Sequence, residues 1–254
     1  MADSDGLVRG LGFPTLVRMY LRSFFSQGSF AFSARQNIGF AYCLEPAGAQ
    51  IWRDPEDLKR FYLRHLEYYN GNPFMVTLVL GAVARMEERF RDGDGVGEED
   101  IRRFKLAVGP AVGAVGDRFF WRTLRPFGLV AGLLGAFWFG VWGIPLFLAI
   151  FNLPVLCLRW YWLVRGYSLG PRVVIEIKNH SLEKAAGIME TLGAAMLAFF
   201  LVVCMERLSG GFSAAAGTIA LFGFALIMPR KWMPPSIVMA VSALFAVVIG
   251  FLAG

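Results

Sequence analysis

The sequence predicts an all-α integral membrane protein, in which interfacial amphipathic helices and re-entrant short segments precede about three to five transmembrane helices. Three observations lead to this fold class. The 254 residues are 56% hydrophobic and only 17% charged, whereas soluble domains carry about a quarter charged residues. Residues 126–158 contain no charged residue, and most of the charge precedes them. We therefore divide the chain into an interfacial and re-entrant part, residues 1–125, and a transmembrane part, residues 126–254.

Two amphipathic helices are predicted in the N-terminal part. Residues 14–25 place Arg18 and Arg22 opposite an apolar stripe, as in helices that lie along an anionic membrane surface. A packing helix of a soluble domain is the alternative. Residues 54–70 begin with an aspartate suited to the N-cap and a proline suited to the first turn. The Asn-Gly-Asn-Pro sequence that follows Tyr69 predicts the end of this helix.

Two apolar segments, residues 74–84 and 106–116, are shorter than the roughly 20 residues that a spanning helix needs. The second is rich in glycine and contains Pro110. Broken segments of this kind are tolerated at membrane depth where they line a protein-buried site. We expect each segment to dip into the membrane or to be buried by protein, and the pattern favours a transporter-like membrane subunit.

The uncharged stretch 126–158 comprises 33 residues, too many for one untilted span. Gly140, Gly143 and Pro145 mark a break near its middle, which predicts a tight helical hairpin or two tilted spans. Further spans are predicted at 185–205, 211–228 and 233–253.

Arginines flank the predicted hairpin at both ends: Arg118, Arg122 and Arg125 before it, and Arg159, Arg165 and Arg172 after it. The positive-inside rule then places both ends of the hairpin, and the N-terminus, in the cytoplasm. Cations that flank apolar segments, with no separate basic block, argue against nucleic-acid binding despite the net charge of +6.

Few residues offer groups for catalysis. The chain has two histidines, three widely spaced cysteines and no phosphate-binding or nucleophile motif. We therefore expect no catalytic residue, no metal site and no cofactor. Polar residues border the apolar segments instead, and at membrane depth such residues are functional candidates. Amides and carboxylates also hydrogen-bond sugar hydroxyls, although a structural role is the alternative for each.

Five motifs occur in an order and spacing typical of one family: RQNIGFAYCLEP (35–46), LRHLEYYNGNP (63–73), LGAVARMEE (80–88), VGPAVGAVGDRFFWRTLRP (108–126) and FNLPVLCLRWYWLVRGYSLG (151–170). With them the sequence resembles the IID component of the mannose/fructose/sorbose class of the bacterial phosphoenolpyruvate-dependent sugar phosphotransferase system (PTS). The resemblance covers about residues 12–205, with a weaker fit in the last two predicted spans.

The resemblance implies a translocation subunit of the bacterial inner (cytoplasmic) membrane. Such subunits pair with a membrane IIC subunit, usually as a trimer of IIC–IID heterodimers, and carry a hexose. Cytoplasmic IIA and IIB proteins pass phosphate between histidines, and IIB delivers it to the sugar. The IID subunit carries no phosphohistidine, so phosphorylation of His65 is not expected. The resemblance makes the following residues candidates for lining or bracing the sugar path and the IIC interface: Gln36, Asn37, His65, Glu67, Asn70 and Asp117.

One stretch departs from the family pattern. The family usually has Asn-aromatic-Glu-Arg-Met-Gln, which ends at the shared glutamine, where residues 31–36 of this chain are Ala-Phe-Ser-Ala-Arg-Gln. Small residues replace an amide, a carboxylate and the usual arginine. The departure leaves two hypotheses: transport of a hexose or other solute by an altered site, and a transport-impaired regulatory or assembly subunit that keeps the IID scaffold.

Overall fold

The computed structural model of the protein describes residues 10–177 and 181–209. Within these ranges the regular secondary structure is helical, and isolated bridges join Ala31 to Arg35 and Arg35 to Tyr69 in the loops. The predicted spans 211–228 and 233–253 lie outside the described residues. The α-helices are α1 Phe13–Ser23, α2 Asn37–Ile51, α3 Pro55–His65, α4 Val76–Arg91, α5 Glu98–Gly116, α6 Arg125–Phe139, α7 Gly143–Leu169, α8 Val173–Ile177 and α9 Ser181–Ser209.

Helix α3 begins as the sequence predicts. The side chain of Asp54 accepts hydrogen bonds from two backbone N–H groups of the first turn, and Pro55 is the first helical residue. The helix ends at His65, however, five residues before the predicted end. The backbone of Tyr69 instead bonds to the loop before α2: its carbonyl accepts from Gln36 and its N–H donates to Ala34. This pairing occupies the backbone N–H and carbonyl of Tyr69, which a longer α3 would need for its own hydrogen bonds.

The predicted apolar segment 106–116 is the C-terminal half of α5, whose first half is the polar sequence before it. Pro110 does not end the helix: it removes only the hydrogen bond to the carbonyl of Leu106, which lies on the exposed side. A π-helix, Asp117–Leu124, then leads directly into α6. The predicted segment 106–116 is therefore the end of a 19-residue helix and not a separate short element.

Helices α6 and α7 form the predicted hairpin. They are joined by a single 3₁₀ turn, Gly140–Trp142, and Gly140 has a φ of 59°. That left-handed conformation suits glycine, which has no β-carbon. The predicted break at Gly140 and Gly143 is confirmed.

Two compact units make up the chain. The first contains the described parts of 1–122 and 151–183, and the second those of 123–150 and 184–254. In the first unit α4 is the central helix, and every residue of it from Val76 to Ala84 is buried. The predicted short segment 74–84 is thus enclosed by protein, which resolves the alternative left open by the sequence.

Helix α1 packs on α2 and α7 within the first unit. Met19 is fully buried, and the rings of Phe13 and Tyr20 meet Trp160 edge to face at 5.7 and 5.6 Å. Arg22 supports α2 at Pro46, since a proline has no N–H to bond the carbonyl of Tyr42. The guanidinium of Arg22 donates to that carbonyl, at 3.1 Å.

In the second unit, Glu190 is a charged residue within the apolar part of α9. The hydroxyl of Thr123 donates to its carboxylate at 3.1 Å. Further along α9, the ring of Phe199 stacks on Trp138 of α6, with centroids 5.8 Å apart. A polar group in an apolar helix thus has a partner within its own unit.

Among the residues that the structure describes, two helical stretches are long and apolar enough to cross a membrane: Glu98–Arg172, which includes the hairpin, and Leu182–Cys204. Only 11% of the most apolar window of the first stretch is buried, and none of that of the second. The core helix of a soluble protein would be covered by other residues, so these exposed apolar surfaces are suited to lipid contact.

Candidate functional site

The six residues predicted from the sequence converge on one short stretch, residues 65–72, which we name the linker segment. It runs from the last residue of α3 towards α4. His65, Glu67 and Asn70 belong to it, while Gln36 and Asn37 bond to its backbone. The sixth residue, Asp117, bonds to its last side chain. Residues far apart in the sequence are therefore brought together in the first compact unit.

Gln36 and Asn37 anchor the linker segment to the start of α2. The buried amide of Gln36 donates to the carbonyl of Gly71 at 3.0 Å and accepts from its N–H at 3.4 Å. The Nδ2 of Asn37 donates to the carbonyl of Leu66 at 2.6 Å. The Oδ1 of Asn37 is a buried acceptor that has no donor among the residues described.

The stretch that departs from the family pattern forms a tight turn beside this anchor. Ala31 and Arg35 exchange two backbone hydrogen bonds, at 2.9 and 2.8 Å. Arg35 has a φ of 57°, a conformation that non-glycine residues rarely adopt. Its guanidinium lies over the rings of Phe30 and Phe32, 5.6 and 5.5 Å from the centroids. Phe32 is 91% exposed, so the turn presents an aromatic surface.

A buried carboxylate holds the other end of the linker segment. Glu87 of α4 accepts from Nε and Nη2 of Arg64 at 2.7 and 2.6 Å, and from Nε2 of His65 at 2.9 Å. The indole N–H of Trp52 donates to it at 2.8 Å. The side chains of Glu87 and His65 are fully buried and that of Arg64 is 4% exposed. Four donors from two elements thus converge on one carboxylate.

Protonation in this cluster follows from burial and hydrogen bonding. Burial lowers the pKa of His65 to about 4, because it penalises the charged imidazole more than the bond to Glu87 favours it. Burial alone would raise the pKa of Glu87, but the hydrogen bonds from Arg64 and His65 outweigh it and lower this pKa to about 2. His65 is therefore neutral at pH 7 and donates through Nε2–H. Its Nδ1 is then an acceptor without a donor among the described residues.

The C-terminal end of the linker segment rests on α5. Asn72 donates to the carboxylate of Asp117 at 2.8 Å, while its own Oδ1 accepts from two backbone N–H groups at the start of α4. A β-carbon at Gly109 would lie 2.7 Å from the carbonyl oxygen of Asn70, and one at Gly116 would overlap Asn72. The glycine-rich sequence of α5 therefore allows the close approach of the linker segment.

The six predicted residues differ in what they can offer a ligand. Gln36 and His65 are buried and bonded within the fold. Glu67 and Asn70 are exposed and make no side-chain hydrogen bond to any residue described, and Asp117 is exposed beside Asn72. The exposed members can meet a polar ligand directly, whereas the buried ones hold the backbone.

Four residues of the cluster were absent from the predicted set: Trp52, Arg64, Glu87 and Lys105. Lys105 is buried and donates to the carbonyl of Arg64. Helical spacing carries a signal for both cations, because Arg64 lies three residues after Phe61 and Lys105 lies four after Ile101, each on the buried face of its helix. A cation on an apolar face requires an acceptor. Trp52 has no comparable signal.

The fold and this site define an α-helical integral membrane protein with a polar linker braced by buried charges. Residues 13–206 match the model of the PTS system mannose/fructose/sorbose family IID component. The chain belongs to this family, as its motifs predicted. The described helices and the resemblance to membrane-protein structures also confirm the predicted fold class.

Curated relatives of the chain come from several bacteria. It is 32% identical over 185 residues to the PTS system mannose-specific EIID component of Escherichia coli K12, an alignment that covers 72% of this chain and 64% of the relative. It is 32% identical to the sorbose-specific EIID component of Klebsiella pneumoniae, covering 74% and 66%. The fructose permease IID component of Bacillus subtilis is 29% identical, covering 72% and 65%. The chain thus aligns with about two thirds of each relative's length.

Two solved structures resemble the fold. One, described as a membrane protein, has a TM-score of 0.69 and 24% identity, and the match covers 96% of this chain and 98% of that one. The other is a cryo-EM structure of the mannose transporter ManYZ with microcin E492. Its TM-score is 0.61 at 24% identity, over 96% of this chain and 97% of that one. At this identity the two matches establish the fold.

Proposed function

We propose that the protein is the membrane translocation subunit, IID, of a bacterial phosphoenolpyruvate-dependent sugar phosphotransferase system. The observation that carries this proposal is the family match, which extends over residues 13–206. Relatives named for mannose, sorbose and fructose make a hexose the substrate class. The subunit itself is non-catalytic, and phosphate reaches the sugar from IIB.

The proposal includes partners and a location. The subunit pairs with a membrane IIC subunit, in keeping with the two-component name of the ManYZ transporter whose fold it shares. The assembly is a trimer of IIC–IID heterodimers in the inner membrane, supplied with phosphate by IIA and IIB. The N-terminus is cytoplasmic in this proposal, because arginines flank both ends of the uncharged stretch 126–158.

The sugar path runs along the linker segment in this proposal. Glu67, Asn70 and Asp117 are exposed there, and carboxylates and amides match the donor and acceptor pattern of sugar hydroxyls. Gln36 and His65 brace the segment from inside.

Transport by a reconstituted system tests the proposal. The protein is co-expressed with its IIC subunit, and inverted membrane vesicles are loaded with sugar in the lumen and receive phosphoenolpyruvate, the general phosphocarrier proteins, IIA and IIB on the outside, which is their cytoplasmic face. We expect phosphorylated mannose, fructose or sorbose to appear outside the vesicles, and this appearance to stop when IIB is omitted. An assembled complex that carries none of a panel of hexoses would contradict the proposal.

The alternative function is a regulatory or assembly subunit with impaired transport, which the departure from the family pattern at residues 31–36 motivates. Ser33 is exposed, and Ala31 and Ala34 are half-buried in the turn. Their backbone bonds do not involve the side chains, so larger side chains can be introduced. The triple variant Ala31→Asn, Ser33→Glu, Ala34→Arg restores the family's groups. Sugar binding by this variant alone supports the alternative, and transport by the unaltered protein excludes it.

A further inference from the structure

We infer that Glu87 is the positioning residue of the linker segment: it sets the geometry of the sugar path without touching the sugar. The inference rests on the proposed function and adds a residue outside the predicted set. The carboxylate of Glu87 is fully buried, so it acts on a ligand only through the groups it holds. These groups are the last turn of α3 and the residue that follows α2.

The contacts of Glu87 all lead to the ends of α2 and α3. Arg64 and His65 both reach Glu87 from the end of α3, and Trp52 reaches it from the residue after α2. Glu87 itself lies on α4, the most buried helix of the first unit. Hydrogen bonds to a charged group are about twice as strong as neutral ones. The carboxylate thus ties the start of the linker segment to the rigid centre of the unit.

The residues held by Glu87 are directly connected to the predicted ligand-binding residues Asn37 and Glu67. Arg64, His65 and Leu66 are consecutive, so a shift of the side chains held by Glu87 moves the carbonyls beside them. The carbonyl of Leu66 orients the amide of Asn37 at 2.6 Å, and the carbonyl of Arg64 accepts from Lys105 of α5. The exposed residue Glu67 follows directly. A displacement of the side chains that Glu87 holds is therefore transmitted to the carbonyl of Leu66 and to Glu67, which both lie within three residues of Arg64.

Substituting Glu87 by glutamine tests the role of its charge while the size of the side chain stays nearly the same. Replacing Glu87 by glutamine keeps the volume but substitutes an NH₂ group for one oxygen. Each oxygen of the carboxylate accepts two of the four hydrogen bonds, so an NH₂ group in place of either oxygen leaves two of the donors facing another donor. The last turn of α3 must therefore shift. Glu88 provides a matched control: it is also buried on α4, but it accepts from Tyr167 and Arg85, which lie away from the linker segment.

The experiment compares Glu87→Gln, Glu87→Asp and Glu88→Gln in the assembled IIC–IID complex, with uptake measured against sugar concentration. For Glu87→Gln we expect the KM for sugar to rise by about tenfold or more, the factor that corresponds to about 1.4 kcal/mol. Glu87→Asp keeps the charge and recovers part of the loss. Glu88→Gln also removes a buried carboxylate from α4, but it keeps the wild-type KM.

A KM unchanged in Glu87→Gln, or raised equally in Glu88→Gln, would overturn the inference while leaving the proposed function intact. A wild-type complex that transports no sugar would overturn both. If Glu87→Gln does not assemble, Trp52→Phe replaces it, because this change removes one of the four hydrogen bonds and keeps the charge. A rise of KM by about threefold is then expected, and an unchanged KM contradicts the inference.

Discussion

Breaking the buried ion pair between Arg64 and Glu87 tests the energetics of the cluster. Arg64→Met leaves a carboxylate in the protein interior with two neutral donors, those of His65 and Trp52. Removing one partner of a buried ion pair costs about 3–5 kcal/mol. At roughly 2–4 °C per kcal/mol for a chain of this size, the melting temperature should fall by about 6–20 °C. Tryptophan fluorescence of the purified protein in detergent, at one fixed scan rate, measures it.

The double variant Arg64→Met, Glu87→Met provides the decisive comparison. Its apolar side chains need no partner, but the N–H groups of His65 and Trp52 lose their acceptor, at about 1–3 kcal/mol each. We therefore expect a loss of about 2–6 kcal/mol, below the roughly 6–10 kcal/mol sum of the two single variants. The control Arg60→Met removes a side chain that is 72% exposed on the same helix and should change stability by less than about 0.5 kcal/mol. Additive single variants would refute the reasoning.

Three further predictions concern the surroundings of the site. The folded state lowers the pKa of His65 from 6.5 to about 4, so the folded protein binds fewer protons there; stability should fall as pH drops from 6.5 to 4, by on the order of 3 kcal/mol, relative to His65→Gln. Equal pH profiles of the melting temperature for the two proteins would contradict this. Gly109→Ala should be destabilising by about 1–3 kcal/mol, because its β-carbon meets the carbonyl of Asn70 at 2.7 Å, whereas Gly113→Ala has its nearest neighbour at 3.9 Å and should be neutral or stabilising. Similar melting temperatures would argue against this packing. Asp54→Ala should cost about 1 kcal/mol by removing the cap of α3, measured as a loss of about 2–4 °C in melting temperature, and an unchanged value would show that the cap is unimportant.

Local chemistry made much of the helical architecture predictable. The N-cap at Asp54 and the turn at Gly140 depend on neighbouring residues alone, and both are found where the sequence places them. The uncharged stretch 126–158 predicts the hairpin because its length exceeds one span. The division of the chain at residue 125, in contrast, stays a prediction, and the compact units combine separate parts of the sequence.

The end of α3 and the course of α5 differ from what local sequence signals predict. Helix α3 ends at His65 because Tyr69 pairs with the loop before α2, an interaction that periodicity does not reveal. Helix α5 continues through Pro110, whose local effect is the loss of a single hydrogen bond. Sequence signals for breaks are thus probabilistic, since the surrounding structure can compensate for a missing bond.

The six candidate residues were found from the sequence by their position beside apolar segments and by the family resemblance. Their arrangement was not accessible in that way. Gln36 and His65 are buried while Glu67 and Asn70 are exposed, a distinction that arises only when α2, α3 and α4 pack together. The same packing brings Trp52 and Lys105 to the site.

The sequence by itself determined the membrane class, the family, the hairpin and the polar residues around residues 63–73, because composition, helical caps and motifs are local properties of the chain. Only the tertiary structure decided that the apolar segment at 74–84 is enclosed by protein, and that the adjacent Glu87 holds Arg64, His65 and Trp52. The physical reason is that burial and charge pairing depend on which surfaces meet in space. A carboxylate that looks like the polar exit of a helix in the sequence is the centre of a buried ion cluster in the fold.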